Sequence, residues 1–211
     1  MHIIATNVAK PTTFMWNGKE ETTGIYKKPT KNPIYLTKND VMNDEVSDRL
    51  HHGGFYKACY IYAAEQYPYW KTLYPHLDWD WGMFGENLTV ADFDEANVFV
   101  GDVYKVGDAL VQISQHREPC YKLGHKFGTQ QVLKQFIAHG YGGTYLSILE
   151  EGHVQVNDTF YLVDRAKNSL TVAQLFHLVH AKDKDQALLK IAASNKALPA
   201  KKRLLFSSYI K

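Results

Sequence analysis

The chemistry of this chain concentrates in Ser114-Gln115-His116-Arg117-Glu118-Pro119-Cys120-Tyr121-Lys122-Leu123, which sets one thiol among Arg117, Lys122 and the nearby Lys126. Thiolate is the reactive and metal-binding form of cysteine, and adjacent cations favour it. Cys120 is therefore a candidate reactive group or metal ligand. The alternative is a buried structural cysteine, since a free thiol packs as a small hydrophobe. The second cysteine, Cys59, shares a run with Phe55, Ala58, Tyr62 and Ala63 at roughly helical spacing, which predicts a helix over residues 55–67 with Cys59 facing the core. Two cysteines cannot build a disulfide framework or supply the four thiolates of a typical iron–sulfur cluster. Electrons for any redox step must then come from outside the chain.

An extended stretch has to position Cys120. Pro119 disfavours a helical backbone at Glu118, so the strand pattern of residues 109–115 is expected to run on as a loop that presents Cys120 at a sheet edge or barrel mouth. Upstream, Val98-Phe99-Val100 and Val103-Tyr104-Lys105-Val106 are β-rich runs set off by Gly101-Asp102 and Gly107-Asp108, which predicts a tight antiparallel meander. His153-Val154-Gln155-Val156 and Thr159-Phe160-Tyr161-Leu162-Val163 repeat the pattern around Asn157-Asp158. Many short strands joined by polar turns suggest a closed or nearly closed barrel, which removes exposed edges. Residues 130–139 carry Val132, Leu133, Phe136 and Ile137 on one face and stop at Gly140, as an amphipathic helix does.

Past Lys167 the pattern turns helical. Thr171-Val172-Ala173-Gln174 has the spacing of a capping box, a second helix is expected over residues 185–193, and a third is expected to begin near Pro199. The predicted fold is mainly β with added α: a barrel over residues 1–166 and a small three-helix unit over residues 167–211. Val172, Leu175, Phe176 and Val179 form a stripe that three short helices cannot bury alone, so it must meet the barrel or a second subunit, and a homodimer is the expected assembly.

Apolar content of 45% and charged content of 22% fit a globular chain and argue against extended disorder. No apolar run reaches the length of a membrane span, and Met1-His2-Ile3-Ile4-Ala5-Thr6-Asn7 lacks the apolar region of a signal peptide, so the expectation is a cytoplasmic protein with no membrane partner. A net charge of +2 does not call for a polyanion, although it is compatible with a local phosphate pocket. Lys201-Lys202-Arg203 is too short a stripe to predict a nucleic-acid partner. The chain has no G-x-G-x-x-G, P-loop or H-E-x-x-H, which argues against a dinucleotide enzyme, a P-loop NTPase or a zincin.

Four stretches together resemble the MOSC domain family, named for the C-terminal domain of molybdenum cofactor sulfurase, in its stand-alone bacterial, YiiM-like branch. They are His52-Gly53-Gly54-Phe55-Tyr56-Lys57-Ala58 leading into Tyr62-Ala63-Ala64-Glu65-Gln66-Tyr67; Phe84-Gly85-Glu86-Asn87-Leu88; the Cys120 run; and Gly143-Thr144-Tyr145-Leu146-Ser147-Ile148-Leu149. The three-helix tail also matches that branch. The resemblance implies a MOSC-type β-barrel that binds molybdenum cofactor in its molybdopterin form, with Cys120 on the metal. It implies no pyridoxal phosphate, because the chain has no room for the sulfurase domain of fused members. The phosphate of such a pterin needs cations and backbone donors. Arg117 could grip it bidentately, Lys57 and Lys122 could act as point charges, and Gln115 joins them as a cofactor-binding candidate. His52, Gly53 and Gly54, just ahead of the expected helix, would let backbone N–H groups approach the anion. The alternative is a plain loop and a solvated lysine. The chain departs from the family pattern at His116, where proline is common, at Ser147, where arginine is frequent, and at Asn157, where glycine is usual. If that arginine helps hold the cofactor in the family, the second departure implies either weaker binding or reliance on Arg117 and Lys57 instead.

In this branch the implied activity is reduction of N-hydroxylated compounds, of the hydroxylaminopurine type of base analogue. Cys120 would hold the metal, and His116 and His125 are the nearest candidates for proton delivery, since imidazole titrates near neutrality; each has the alternative of a surface histidine. A separate electron-donor reductase is the implied partner. The other reading is a carrier or store for the cofactor without turnover of its own.

Overall fold

In the computed structural model, which describes residues 1–45 and 53–211, the chain opens with β1 (His2–Val8) and a hairpin of β2 (Thr12–Trp16) and β3 (Lys19–Thr23). Asn17 and Gly18 turn that hairpin at φ of 49° and 77°, the positive values that an Asn-Gly hairpin turn requires. Next come β4 (Lys28–Thr30), β5 (Ile34–Leu36), β6 (Cys59–Ala63), α1 (Tyr67–Leu73) and β7 (Leu88–Ala91). A tight pair, β8 (Val103–Val106) and β9 (Ala109–His116), leads to α2 (Tyr121–Lys126) and α3 (Gln131–His139). Strands β10 (Thr144–Glu150), β11 (Gly152–Val154) and β12 (Tyr161–Asp164) follow, and helices α4 (Val172–His180), α5 (Gln186–Ser194) and α6 (Ala200–Ser208) close the chain.

Eight strands form one mixed sheet in the order β12-β8-β9-β10-β6-β7-β1-β4, with β6 and β7 parallel. The sheet curls until the run into β12 meets β1: Ile3 N donates to Asp158 O at 2.9 Å, and Phe160 N donates to Met1 O at 3.1 Å. The result is a half-closed barrel. Asn157 takes φ of 74° at this junction, a left-handed conformation that asparagine tolerates better than most side chains, which accounts for its standing in for glycine.

Three apolar clusters fill the molecule. Ile3, Ile61, Val111, Ile113 and Leu146 lie in the barrel; Tyr62, Tyr67, Trp70, Phe84, Phe127 and Phe136 form an aromatic layer outside it; Leu178, Leu189, Leu198 and Phe206 hold the tail together. Helix α4 joins all three, since Val172 packs with the barrel, Phe176 with the aromatic layer and Leu175 with the tail. The stripe is therefore covered within the chain, and it gives no reason of its own for a second subunit. The expected capping box is present: Gln174 N donates to Thr171 Oγ1 at 3.1 Å and Thr171 N donates to Gln174 Oε1 at 2.9 Å.

Two expectations need correction. Residues 55–67 do not form a helix; they make a single turn at Phe55–Lys57, strand β6, a second turn at Ala64–Gln66 and the start of α1. Every residue of β6 is buried, so it shows none of the period-two alternation that marks a half-exposed strand. Cys59 does face the core. Residues 98–100 are not a meander strand either; only Phe99 bridges, to Thr171 at the head of α4. Among the described residues, no helix is long and apolar enough to cross a membrane.

Candidate functional site

Strand β9 ends at His116, and residues 117–120 leave the sheet in extended form. Cys120 has φ of −120° and ψ of 168° and flanks the start of α2. Its half-buried thiol opens into a cavity of about 670 Å³, mouth included, whose described lining also contains Lys27, Asp44, Lys57, Tyr60, Arg117, Lys122 and Tyr145.

Arg117 is the most tightly built member. Its guanidinium lies 5.0 Å from the Tyr60 ring centroid and 5.8 Å from that of Phe136, and Nη1 donates to Phe84 O. Burial works against its charge, and the Tyr60 and Tyr145 hydroxyls and the Cys120 thiol more than offset this, so its pKa lies above the ordinary arginine value. Tyr60 is held in turn, with its hydroxyl donating to Gly142 O at 2.8 Å. The next residue, Gly143, donates its N–H to Glu95 Oε1 at 2.8 Å. Burial pushes the Glu95 carboxyl up to about 7, against the pull of the Gly143 and Gly142 N–H groups.

The other cations are fixed by side chains and carbonyls. Lys122 Nζ donates to Thr22 O at 3.0 Å, and Lys57 Nζ lies 5.6 Å from the Tyr145 ring centroid. Lys27 forms a buried ion pair with Asp44, which also accepts from Ala9 N at 2.7 Å and Asn87 Nδ2 at 2.8 Å. With Lys27 paired to Asp44, the described lining also carries Lys57, Arg117 and Lys122 and the carboxylate of Glu45. Among the described residues no group of three or more His, Cys, Asp or Glu could hold a metal. Cys120 thus stands as a lone soft sulfur donor beside a cationic wall. Cys59 is its opposite: burial, with Asp44 adding, drives that thiol well above the usual range, and it stays inert.

Cys120, Arg117, Lys57, Lys122 and Gly53 share the cavity. Gly54 takes φ of 78°, and its N–H donates to Asn39 O at 2.8 Å, so that donor is spent; the helix expected to follow is a single turn. His52 lies outside the described residues. Gln115 does not line the cavity, and its Nε2 donates to Tyr56 O at 3.3 Å. His116 turns the other way, under α4, against Phe176 and His180. His125 packs on Phe14, with ring centroids 4.3 Å apart, and does not line the cavity. Ser147 is fully buried in β10 and is absent from the lining. Lys27, Asp44 and Tyr60 were not singled out by the sequence, and Asn87 stood there only within the Phe84–Leu88 stretch.

A family model, the MOSC domain, matches residues 48–161. The chain belongs to the MOSC domain family. Among relatives of this MOSC protein, "Uncharacterized protein YflK" of Bacillus subtilis is 38% identical, covering 81% of this chain and 76% of its own length. "Protein YiiM" of Escherichia coli is 31% identical, covering 82% and 80%. A protein named "Reductase" from Gibberella moniliformis is 32% identical over 82% of this chain, which spans 31% of that protein. The crystal structure of YiiM from Geobacillus stearothermophilus superposes with a TM-score of 0.83 at 32% identity, covering 100% of this chain and 99% of that one.

Proposed function

We propose that this MOSC protein holds a molybdenum–pterin cofactor in the Cys120 cavity and acts as a reductase of N-hydroxylated compounds. The observation that carries the reading is a half-buried thiol opening into the same cavity as Lys57, Arg117 and Lys122. The residues fit such a group. Thiolate is a soft donor suited to the metal, the cations suit a terminal phosphate, and the rings of Tyr60 and Tyr145 offer flat walls to a pterin. Arg117, already tied to Phe84 O, provides the fixed positive floor, while Lys57 and Lys122 supply point charges above it.

When bound, the cofactor supplies a metal able to accept an oxygen atom and exchange two electrons. The reaction balances as R–NH–OH with two electrons and two protons giving R–NH2 and water. The chain's two cysteines cannot form an iron–sulfur relay, so the electrons are assigned to a separate reductase protein. Neither His116 nor His125 lines the cavity, so neither is assigned the delivery of protons. The relative named "Reductase" supports the oxidoreductase class.

Molybdenum and pterin content of protein purified from a cofactor-competent host tests the reading. Wild type is expected to carry the metal, Cys120→Ser to lose roughly ten-fold or more of it, and Cys59→Ser to keep it. Equal molybdenum in wild type and Cys120→Ser would overturn the ligand. Turnover of a hydroxylamino substrate with a supplied reductase separates the enzyme from a carrier or store.

A further inference from the structure

A second cavity, of about 570 Å³ with its mouth, opens beside the first and shares Lys27 with it. Tyr26, Leu77, Trp81 and Met83 give it an apolar wall. At its rim Lys28 and Asp80 pair at 3.9 Å, and Asp78 is exposed.

Lys126 of α2 also lines this cavity and is the unusual member. Its Nζ donates to Ile25 O at 3.0 Å and Gly82 O at 2.9 Å, and lies 5.6 Å from the Tyr26 ring centroid. An ammonium has three donors, and among the described residues only two find protein acceptors here. No carboxylate lies within ion-pair distance of it among the described residues. The Gly82 peptide is itself fixed, since Gly82 N donates to Glu86 Oε1 at 2.9 Å and a Cβ on Gly82 would meet Lys27 O at 2.9 Å. The ammonium is therefore aimed by a rigid loop, and a desolvated cation without a counter-ion gains most from one that a ligand brings.

We propose that this second cavity binds a small aromatic carboxylate, its ring against Tyr26 and Trp81 and its carboxylate on Lys126. Lys126, which the sequence sets near Cys120, lines this cavity and not the one into which that thiol opens; the two described linings share only the already neutralised Lys27, so the site stands apart from the reductase reading. Burial lowers Lys126 to about 7; Glu86 opposes this, while Arg117, Lys28 and Lys27 add to it. A carboxylate arriving above that pH must bring a proton with it, and affinity falls as the pH rises through this range.

Calorimetric titration of the wild-type chain with benzoate and with the neutral isostere benzamide tests the site. The titrations are run at about pH 6 and about pH 8, on either side of the Lys126 midpoint, in buffers of different ionisation enthalpy. Benzoate is expected to bind roughly ten-fold or more tightly than benzamide, to weaken at the higher pH, and to take up a proton only there. Lys126→Met is expected to erase the preference, and Cys120→Ser to leave it intact. Equal binding of the two probes by wild type, no saturable benzoate binding, or its loss in Cys120→Ser would overturn the proposal. The wild-type comparison decides the matter even if Lys126→Met fails to fold.

Discussion

His116 and Arg117 are adjacent at the end of β9, yet they meet opposite environments. Arg117 enters the cavity and finds two rings, a carbonyl and the Cys120 thiol within electrostatic reach. His116 goes under α4, and neither of its ring nitrogens has a hydrogen-bond partner among the described residues. Its ring faces Phe176 and His180 at centroid distances of 5.5 and 5.8 Å, and Nε2 is 4.0 Å from Glu118 Oε1, which Lys202 Nζ holds at 2.5 Å. An extended backbone sends successive side chains to opposite faces. One face here is a partnered, charged wall ready for a ligand; the other is a packing surface that tolerates an unsatisfied imidazole.

The cavity face should be the costly one to disturb. Asp44→Ala leaves Lys27 buried without its counter-ion and is expected to cost about 3–5 kcal/mol in denaturant unfolding, whereas a loss under about 1 kcal/mol would break the contrast. Arg117→Ala should weaken cofactor retention roughly 100-fold, with Arg117→Lys falling between, since lysine keeps charge without the planar fork. Pterin binding at two salt concentrations reads this, and identical retention by both variants would sink it.

The tail face should show itself through pH. Burial, with Lys202, His180 and Lys57 adding, holds His116 well below the ordinary histidine value. The unfolded chain therefore binds its proton near pH 6.5 while the folded chain does not. Stability is full above about pH 6.5 and falls as pH drops below it, by up to about 1.4 kcal/mol per pH unit. His116→Leu should flatten that slope at little cost near neutrality, because it removes an unpaired polar ring; an unchanged acid slope would refute the assignment. Lys202→Met, which removes a half-exposed pair with Glu118, is expected to cost under about 1 kcal/mol, and a larger loss would give the tail contact more weight than it has here.

Where the chemistry was local, the sequence was readable. The Thr171 capping box, the helix stop at Gly140 and the extended approach to Cys120 each depend on a few consecutive residues, and each appears in the structure. Strand β6 was misread because complete burial removes the alternation by which a strand is recognised. Helix α2 went unseen because it has six residues with Gly124 among them, too short for a periodic stripe. At the site, Cys120, Arg117, Lys57 and Lys122 come from motif-bearing runs. Lys27 and Asp44 lie in a stretch without periodicity, and only the fold brings Asp44 to the Asn87 amide. The opposed directions of His116 and Arg117 depend on where β9 ends, which the residue types do not mark.

The junction between β1 and the run into β12 also sets an order of events in folding. Strand β1 has a near partner in β4, but its ladder partners in β7 begin at Leu88, and Ile3 and Met1 wait for Asp158 and Phe160. The start of β1, around Ile3, thus lacks its ladder and seam partners until most of the barrel is available, although Thr6–Val8 can pair early with β4. Contacts so distant in sequence carry a loop-closure cost before they return any stability, which slows folding and prolongs exposure of a sticky edge. The seam that closes the barrel is the step at which a nascent chain is most open to mispairing with its neighbours.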